Sequence, residues 1–331
     1  MEGKTVKKLL VVVNVFGKYQ DYIPLYVLSW LRAYPDVNLR VYLNDALNPD
    51  IQAQLDMLGV SDSVTMVEYV GTLVGLTQKA IQHKEISKCI RWLIYEPIFD
   101  EYEAIYIGDV DIIIAKEEES LYNQHMRHCD FLNLPYSNIV RTRRIPNQAL
   151  PLEVARNIVR CGFREALRSV PVGSQTLYRL SGLHFIKTEP YYQSIKPVLR
   201  EFVQHLNLMA EGKRGKYNIC TFRTNEAMLF DMVKTAELRT PENTENGSDD
   251  VENPETEAFR PHHGIHLAPF RKASTEKNIF VGSLKSELYK KYYGDFRDLT
   301  NSNSYKDLEK HLSPFINEQI QGVHDYYSWL T

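Results

Sequence analysis

Two aspartates separated by one residue, Asp109 and Asp111, are the side chains best suited to chemistry in this sequence. They follow the apolar run 104–108 and precede a second apolar run, 112–114. On extended backbone, side chains at i and i+2 point to the same side of a strand. Two such carboxylates suit a hard divalent cation, Mg²⁺ or Mn²⁺, which in turn holds substrate phosphates. The alternative is a strand edge with two solvated aspartates, because isolated Asp-X-Asp pairs are common.

A histidine cluster late in the chain offers a further metal ligand, because imidazole suits Mn²⁺. His263 and His266 are three residues apart and can face one way on a helical or turn backbone, and His262 adjoins them. We assign His263 and His266 to the metal together with the two aspartates, with His263 as the first choice. The alternative is a set of loop histidines that bond backbone carbonyls.

Basic side chains supply candidate sites for anions. Arg91 lies on a predicted helix that enters the Asp109 strand, and its planar fork can bond a carboxylate or a phosphate at two points. A predicted helix over 151–169 carries four arginines at four-residue spacing, which form one stripe: Arg156, Arg160, Arg164 and Arg168. This stripe is either a solvated helix face or a dock for an acceptor phosphate or a lipid surface.

The elements that must position these residues alternate between strand and helix. Such alternation predicts an α/β fold with an open, mostly parallel sheet, in which ligands bind outside the carboxyl ends of the strands. Asp109, Asp111 and the segment 14–17 lie at such ends. The predicted strands are 9–15, 39–43, 64–69 and one ending at Asp109, and the predicted helices are 23–33, 49–58 and 78–95.

Composition restricts the class of protein. The 331 residues are 44% hydrophobic, enough for one large domain or two small ones with a real core. A net charge of −3 gives no basic field, so we expect no nucleic-acid partner. Four cysteines without metal-ligand spacing suggest reduced thiols, and no apolar run reaches the length of a membrane span. We expect a cytoplasmic protein, with peripheral membrane contact through the arginine stripe or the C-terminal tail as an open alternative.

The predicted organisation is a large domain over 1–285 followed by a helical tail over 286–331. Within that domain we distinguish two halves, 9–115 and 116–285. Residues 240–257 are acidic, polar and nearly devoid of apolar side chains, which is typical of a mobile loop. Such a loop can act as a lid that orders when a ligand binds. The oligomeric state stays open.

Four segments, in order, resemble motifs of nucleotide-sugar glycosyltransferases of the GT-A fold. The resemblance is strongest to glycosyltransferase family eight, the group of glycogenin and bacterial galactosyltransferases, and covers about residues 9 to 272. Three departures stand out: Leu180 replaces an asparagine, Asn225-Glu226 replaces Asp-Gln, and Ala268 replaces a lysine. The resembling segments are 87–94 with 106–111, 180–186, 224–230 and 260–270.

The resemblance implies a GT-A domain with a C-terminal helical extension and a metal-dependent transfer of sugar from a nucleotide diphosphate, a UDP-sugar, to a glycan or lipid-linked acceptor. Mn²⁺ or Mg²⁺ is the implied cofactor, and the implied stereochemical outcome is retention. The resemblance also makes 1–285 the catalytic domain, with 9–115 as the nucleotide-binding half and 116–285 as the half for the donor sugar and the acceptor, and it makes the donor the ligand that orders the loop 240–257. Arg91 is implied to reach the donor sugar or the second aspartate. The residues implied to bind the donor are Asn14, Val15, Phe16, Tyr19, Arg91, Asp109, Val110 and Gly182, with Phe16 or Tyr19 stacking on the base.

Glu226 stands where the resembling family has an amide near the anomeric carbon. We assign Glu226, Asn225 and Arg91 to catalysis. A carboxylate at position 226 can act as a base for the acceptor hydroxyl or as an electrostatic partner of an oxocarbenium-like transition state. It can equally be a glutamate of a helix N-terminus. Two alternatives for the whole protein stay open: an inverting transferase with a carboxylate base, and a nucleotide-sugar-binding protein without catalysis.

Overall fold

The computed structural model describes residues 6–145, 155, 175–213, 225–241, 263–271 and 287–328. The strands in these residues are β1 (Lys7–Val15), β2 (Asn38–Leu43), β3 (Val64–Val67), β4 (Tyr102–Gly108), β5 (Ile112–Ile114), β6 (Tyr136–Ser137), β7 (Val140–Ile145), β8 (Gln175–Leu180), β9 (His184–Lys187) and β10 (Gly264–His266).

The α-helices are α1 (Ile23–Ala33), α2 (Pro49–Leu58), α3 (Val70–Leu73), α4 (Gln78–Ile81), α5 (Lys84–Ser87), α6 (Leu121–Leu132), α7 (Thr188–Ala210), α8 (Asn225–Thr235), α9 (Glu287–Thr300), α10 (Asn303–Glu309) and α11 (Pro314–Ser328). Short 3₁₀ turns cover Gly17–Tyr22, Ile90–Trp92, Pro97–Glu101 and Ala268–Phe270. The predicted C-terminal extension is therefore helical in its described residues.

The largest sheet among the described residues has six strands in the order β3-β2-β1-β4-β9-β6. β1 pairs in parallel with β2, and β2 with β3, whereas β6 pairs antiparallel with β9. β1 is rich in valine, and its residues Val11 and Val13 are buried completely or almost so. Apolar runs of this kind are typical of parallel strands covered on both faces. The predicted α/β class is confirmed.

The chain divides into two compact units, and the boundary runs through β4. The first unit, called the Asp-X-Asp unit below, comprises 9–69, 106–124 and 260–331. It contains the parallel strands β1, β2 and β3, the antiparallel pair β5–β10 and the helices α1, α2 and α9 to α11. Trp30 of α1 is buried and packs against Tyr26 and Tyr106.

The second unit, called the Glu226 unit below, comprises 1–8, 70–105 and 125–259. Two antiparallel pairs, β6–β9 and β7–β8, lie in it with the helices α7 and α8. Tyr191 and Tyr192 at the start of α7 are both buried, and the hydroxyl of Tyr192 donates to the carbonyl of Ile94 at 3.1 Å.

Two predicted helices are confirmed at both ends, namely 23–33 and 49–58. The helix predicted over 78–95 was wrong, because this stretch forms α4, α5 and a 3₁₀ turn instead. The buried hydroxyl of Ser87 lies 2.6 Å from the carbonyl oxygen of Ile81 and 3.3 Å from that of His83. The interruption lies at His83, whose backbone is extended with ψ at 112°, and the Ser87 hydroxyl bonds the carbonyls of Ile81 and His83 around it.

Several predicted features lie outside the described residues. They are His262, the arginine stripe at 156, 160, 164 and 168 and the acidic loop from 242 to 257. Within the described part of the chain, every helix is too short or too polar to span a bilayer.

Candidate functional site

The Asp-X-Asp segment is a turn between β4 and β5. Our prediction of extended backbone was wrong here. β4 ends at Gly108, and Val110 and Asp111, which follow it, adopt turn conformations. Asp111 is buried, with 6% of its surface exposed, whereas Asp109 is partly exposed. The two carboxylates therefore differ in their surroundings, and Asp111 must find its partners inside the protein.

The β5–β10 pair brings the late histidine segment to Asp111. In its register, His266 lies opposite Ile112, and the amide of Leu267 donates to the carbonyl of Asp111 at 2.8 Å. The Nε2 atom of His266 is 3.2 Å from Oδ1 of Asp111. Gly264 allows this close approach, because a Cβ at that position would lie 1.9 Å from the carbonyl oxygen of Ile113.

Opposite charges determine the protonation of this pair. Burial opposes the ionised form of Asp111, but His266 and Arg271 beside it hold the pKa of Asp111 below its usual range. Burial likewise opposes protonation of His266, yet Asp111, with a smaller contribution from Asp109, raises the pKa of His266. The site therefore favours an ionised Asp111 next to an imidazole that holds its proton.

Arg271 contacts the second carboxylate oxygen of Asp111. Its Nη2 atom is 2.5 Å from Oδ2 of Asp111, while Nη1 and Nε donate to the hydroxyls of Tyr19 (3.1 Å) and Tyr22 (3.3 Å). The guanidinium also lies over both tyrosine rings. The hydroxyl of Tyr22 in turn donates to the side-chain carbonyl of Gln319 on α11 at 2.8 Å.

His263, our first choice among the histidines, faces a different carboxylate. Its Nδ1 atom lies 2.5 Å from Oε1 of Glu117, and the imidazole is completely buried. Burial opposes ionisation of Glu117, but its contact with His263 holds the pKa of Glu117 below its usual range. The structure thus places His266, not His263, against Asp111.

The residues predicted to bind the nucleotide lie at the end of β1 and in the turn after it. Asn14 donates to the carbonyl of Tyr42 at 3.1 Å and to the side-chain oxygen of Asn44 at 2.9 Å, which ties β1 to β2. Val15 is buried. Phe16 and Tyr19 form a ring pair with centroids 5.4 Å apart. Phe16 and Tyr19 are both partly exposed.

In the Glu226 unit, two predicted residues lie together. Oε1 of Glu226 accepts the amide of Gly182 at 3.1 Å, and Oε2 pairs with Arg179 at 3.1 Å. Asn225 donates to the carbonyl of Lys88 at 3.2 Å. Arg91 is buried, and its guanidinium lies 4.4 Å from the centre of the Trp92 ring. Each of these side chains is thus held by a contact that the sequence motifs did not specify.

Near the turn, Asp109, Asp111 and His266 offer carboxylate and imidazole groups, which are ligand types that Mg²⁺ or Mn²⁺ accepts. Two ligands at about 2.1 Å from such an ion and at a right angle are about 3 Å apart, close to the 3.2 Å between Asp111 and His266. Among the described residues, no group of three or more His, Cys, Asp or Glu side chains surrounds a common point. Mg²⁺ commonly binds to one or two carboxylates, with water and substrate phosphates completing its coordination.

Sequence reasoning missed the residues that hold the site in place. Arg271 was the easiest of them to predict, because it is a basic residue immediately after the late histidine segment. Tyr22, Gln319 and Glu117 carried no signal, since each is brought to the site by tertiary packing from a different part of the chain. Arg179 was likewise unpredictable, because its partner Glu226 is distant in sequence.

Comparison with known proteins gave structural similarities only. No protein-family model matches the sequence, and no curated protein matches it. The mannosyltransferase Ktr4p from S. cerevisiae is 8% identical at a TM-score of 0.38, over 69% of this chain and 67% of its own. The bifunctional glycosyltransferase WbbM is 11% identical at a TM-score of 0.41, and the match covers 92% of this chain and 52% of WbbM. The galactosyltransferase LgtC, solved with donor and acceptor sugar analogues, is 10% identical at a TM-score of 0.33, and the match covers 76% of this chain and 92% of LgtC.

Proposed function

We propose that this protein is a metal-dependent glycosyltransferase that uses a nucleotide-diphosphate sugar, with a UDP-sugar as the first candidate donor and a glycan or lipid-linked hydroxyl as acceptor. The observation that carries the proposal is the contact between Asp111 and His266 at the turn after β4. It supplies an ionised carboxylate and an imidazole close to Asp109, and Arg271 on the same carboxylate contacts Tyr19 in the turn after β1.

Asp109, Asp111 and His266 are the side chains that would hold the cation, and His266 would have to release the proton that Asp111 stabilises. When bound, the cation would neutralise the charge that develops on the departing diphosphate. The chain contributes a carboxylate kept ionised by its neighbours and a fixed imidazole position, set by the β5–β10 register. The partly exposed rings of Phe16 and Tyr19 are suited to the base of the nucleotide.

The state of Glu226 supports retention of configuration over inversion. An inverting transferase needs a base that takes a proton from the acceptor hydroxyl. Both carboxylate oxygens of Glu226 already accept hydrogen bonds, one from Gly182 and one from Arg179. Glu226 therefore suits an electrostatic or positioning role, with its carboxylate held in a defined orientation.

The test is release of nucleotide from UDP-sugars by the purified protein with Mn²⁺, compared with EDTA. We expect Asp111→Asn to slow the Mn²⁺-dependent release by roughly 100-fold, because the change removes a charge that acts on the transition state through the bound cation. Asp307→Asn, which alters an aspartate on α10 paired with Lys310 at the surface, serves as the matched control. The proposal is refuted if the rates with Mn²⁺ and with EDTA are equal, or if the Asp111→Asn variant releases nucleotide at the rate of the unmodified protein.

The donor can be identified separately by thermal shift with UDP- and GDP-sugars, with and without Mn²⁺. A ligand that binds the native state raises the melting temperature as its concentration exceeds its Kd. Stabilisation by a donor without any turnover, tested with a range of acceptors, would favour the alternative of a binding protein without catalysis.

A further inference from the structure

Arg271 occupies one of the positions on Asp111 at which a divalent cation could bind. Its Nη2 atom is 2.5 Å from Oδ2 of Asp111, on the carboxylate whose other oxygen faces His266. An ionised carboxylate has about four lone-pair sites, and the contacts with Arg271 and His266 take one site on each oxygen. A guanidinium and a divalent cation also repel each other when they share one carboxylate.

The guanidinium is held there by more than its charge. The hydroxyls of Tyr19 and Tyr22 accept hydrogen bonds from its Nη1 and Nε atoms, and its Cζ atom lies 5.2 Å and 5.8 Å from the centres of the two rings. Gln319 fixes the Tyr22 hydroxyl, and its own amide donates to the carbonyl of Phe315 at 2.7 Å. This chain of contacts runs from α11 to Asp111 within one unit, so Arg271 is anchored at a defined place.

We propose that Arg271 is a built-in competitor of the divalent cation at Asp111, so that it sets the cation affinity of the site. This inference rests on the proposed function, because it takes Asp111 as a cation ligand. It assigns Arg271 a role as a positioning and affinity-determining residue. A cation on Asp111 must either displace the guanidinium from Oδ2 or bind close to its positive charge, and in both cases it binds more weakly than its ligands alone allow.

The test is titration of the full-length protein with MnCl₂, followed by isothermal calorimetry and by the electron paramagnetic resonance of free Mn²⁺. We expect Arg271→Gln to lower the Kd for Mn²⁺ at least fivefold and Asp111→Asn to abolish binding at the same site. Arg271→Met keeps the length of the side chain and its packing on the tyrosine rings, and it is expected to give the same gain. Near-ultraviolet circular dichroism identifies whichever of the two variants is folded.

Arg32→Gln is the matched control. It breaks another arginine–aspartate pair of the same unit, in which Nη1 of Arg32 lies 3.1 Å from Asp295. We expect its Kd for Mn²⁺ to equal that of the unmodified protein. An equal gain in this control would overturn the inference, because the effect would then reflect only the loss of one positive charge.

The remaining outcomes separate the inference from the proposed function. One outcome is that Mn²⁺ binds, that Asp111→Asn abolishes this binding and that Arg271→Gln leaves the Kd unchanged or raises it. This outcome refutes competition by Arg271 and leaves the proposed metal-dependent transferase standing. If Mn²⁺ binds to neither the unmodified protein nor the Arg271 variants, both are refuted.

Discussion

At the scale of single residues, Asp231 imposes a stability cost that depends on pH. It lies on α8, where burial raises its pKa from 3.8 to about 6, against a smaller opposing effect of Lys234. A carboxyl whose pKa is raised by folding destabilises the fold progressively as pH increases above about 4, and the cost levels off above about 6. We therefore expect Asp231→Asn to increase the free energy of unfolding by about 1–2 kcal/mol at pH 8, after allowance for solvent screening.

Urea unfolding at pH 8 and at pH 4.5 measures this difference. The gain from Asp231→Asn should shrink strongly at the lower pH, because the carboxyl then retains most of its proton in the folded state. Asp307→Asn provides the contrast, since Asp307 is exposed and pairs with Lys310. A gain of the same size at both pH values would show that burial of the charge is not its cause.

At the scale of elements, Asn138 organises the loop that presents Gly182 to Glu226. Its amide nitrogen donates to the carbonyls of Ser181 and Leu183, and its oxygen accepts the amide of Ser181 at 2.7 Å. Asn138 is completely buried. We expect Asn138→Ala to lower the free energy of unfolding by about 3 kcal/mol or more, because several buried backbone groups lose their partner at once.

The matched comparison for Asn138 is Asn207→Ala. The side-chain amide of Asn207 likewise donates to a backbone carbonyl, that of Gly75, and accepts from a backbone amide, that of Thr77, but both contacts are exposed. Water can replace exposed hydrogen bonds, so we expect a loss of only about 1 kcal/mol. Similar losses for both variants in urea unfolding would contradict the assigned role of Asn138.

Periodicity predicted the elements whose pattern is local. The helix over 23–33 was predictable because Leu25, Leu28 and Leu31 recur at helical spacing. The interruption between α4 and α5 was not predictable from periodicity, since it involves hydrogen bonds from the hydroxyl of Ser87 to the carbonyls of Ile81 and His83.

The candidate site likewise has features that the local sequence predicts and features that depend on tertiary contacts. Asp111 and His266 were predictable from residue type and chemistry, although not from their backbone. Asp111 lies in a turn and not on extended backbone, and His266 lies on strand β10 and not on a helix or turn. That His266 and not His263 faces Asp111 follows from the β5–β10 register, a pairing between segments far apart in the chain. The placement of Arg271 between Asp111 and two tyrosines depends on the same pairing and on α11.

At the scale of the whole molecule, the C-terminal helices α9 to α11 form part of the core of the Asp-X-Asp unit. Their apolar side chains are buried, including Tyr292, Phe296, Leu308, Ile316 and Val323. Asp295 of α9 pairs with Arg32 of α1 and accepts the amide of Lys116. Gln319 of α11 supports Tyr22 and, through it, Arg271.

A chain shortened by residues 287–331 tests whether the predicted division at 285 separates an independently folding domain from a tail. Burying five large apolar side chains corresponds to roughly 10 kcal/mol, comparable with the entire stability of an ordinary protein, about 5–15 kcal/mol. We therefore expect the shortened chain to lose its cooperative thermal transition, with the full-length chain, purified in parallel, as the reference. A shortened chain that melts cooperatively near the reference temperature would contradict this expectation, because α1 would then be stable without the C-terminal helices that contact it.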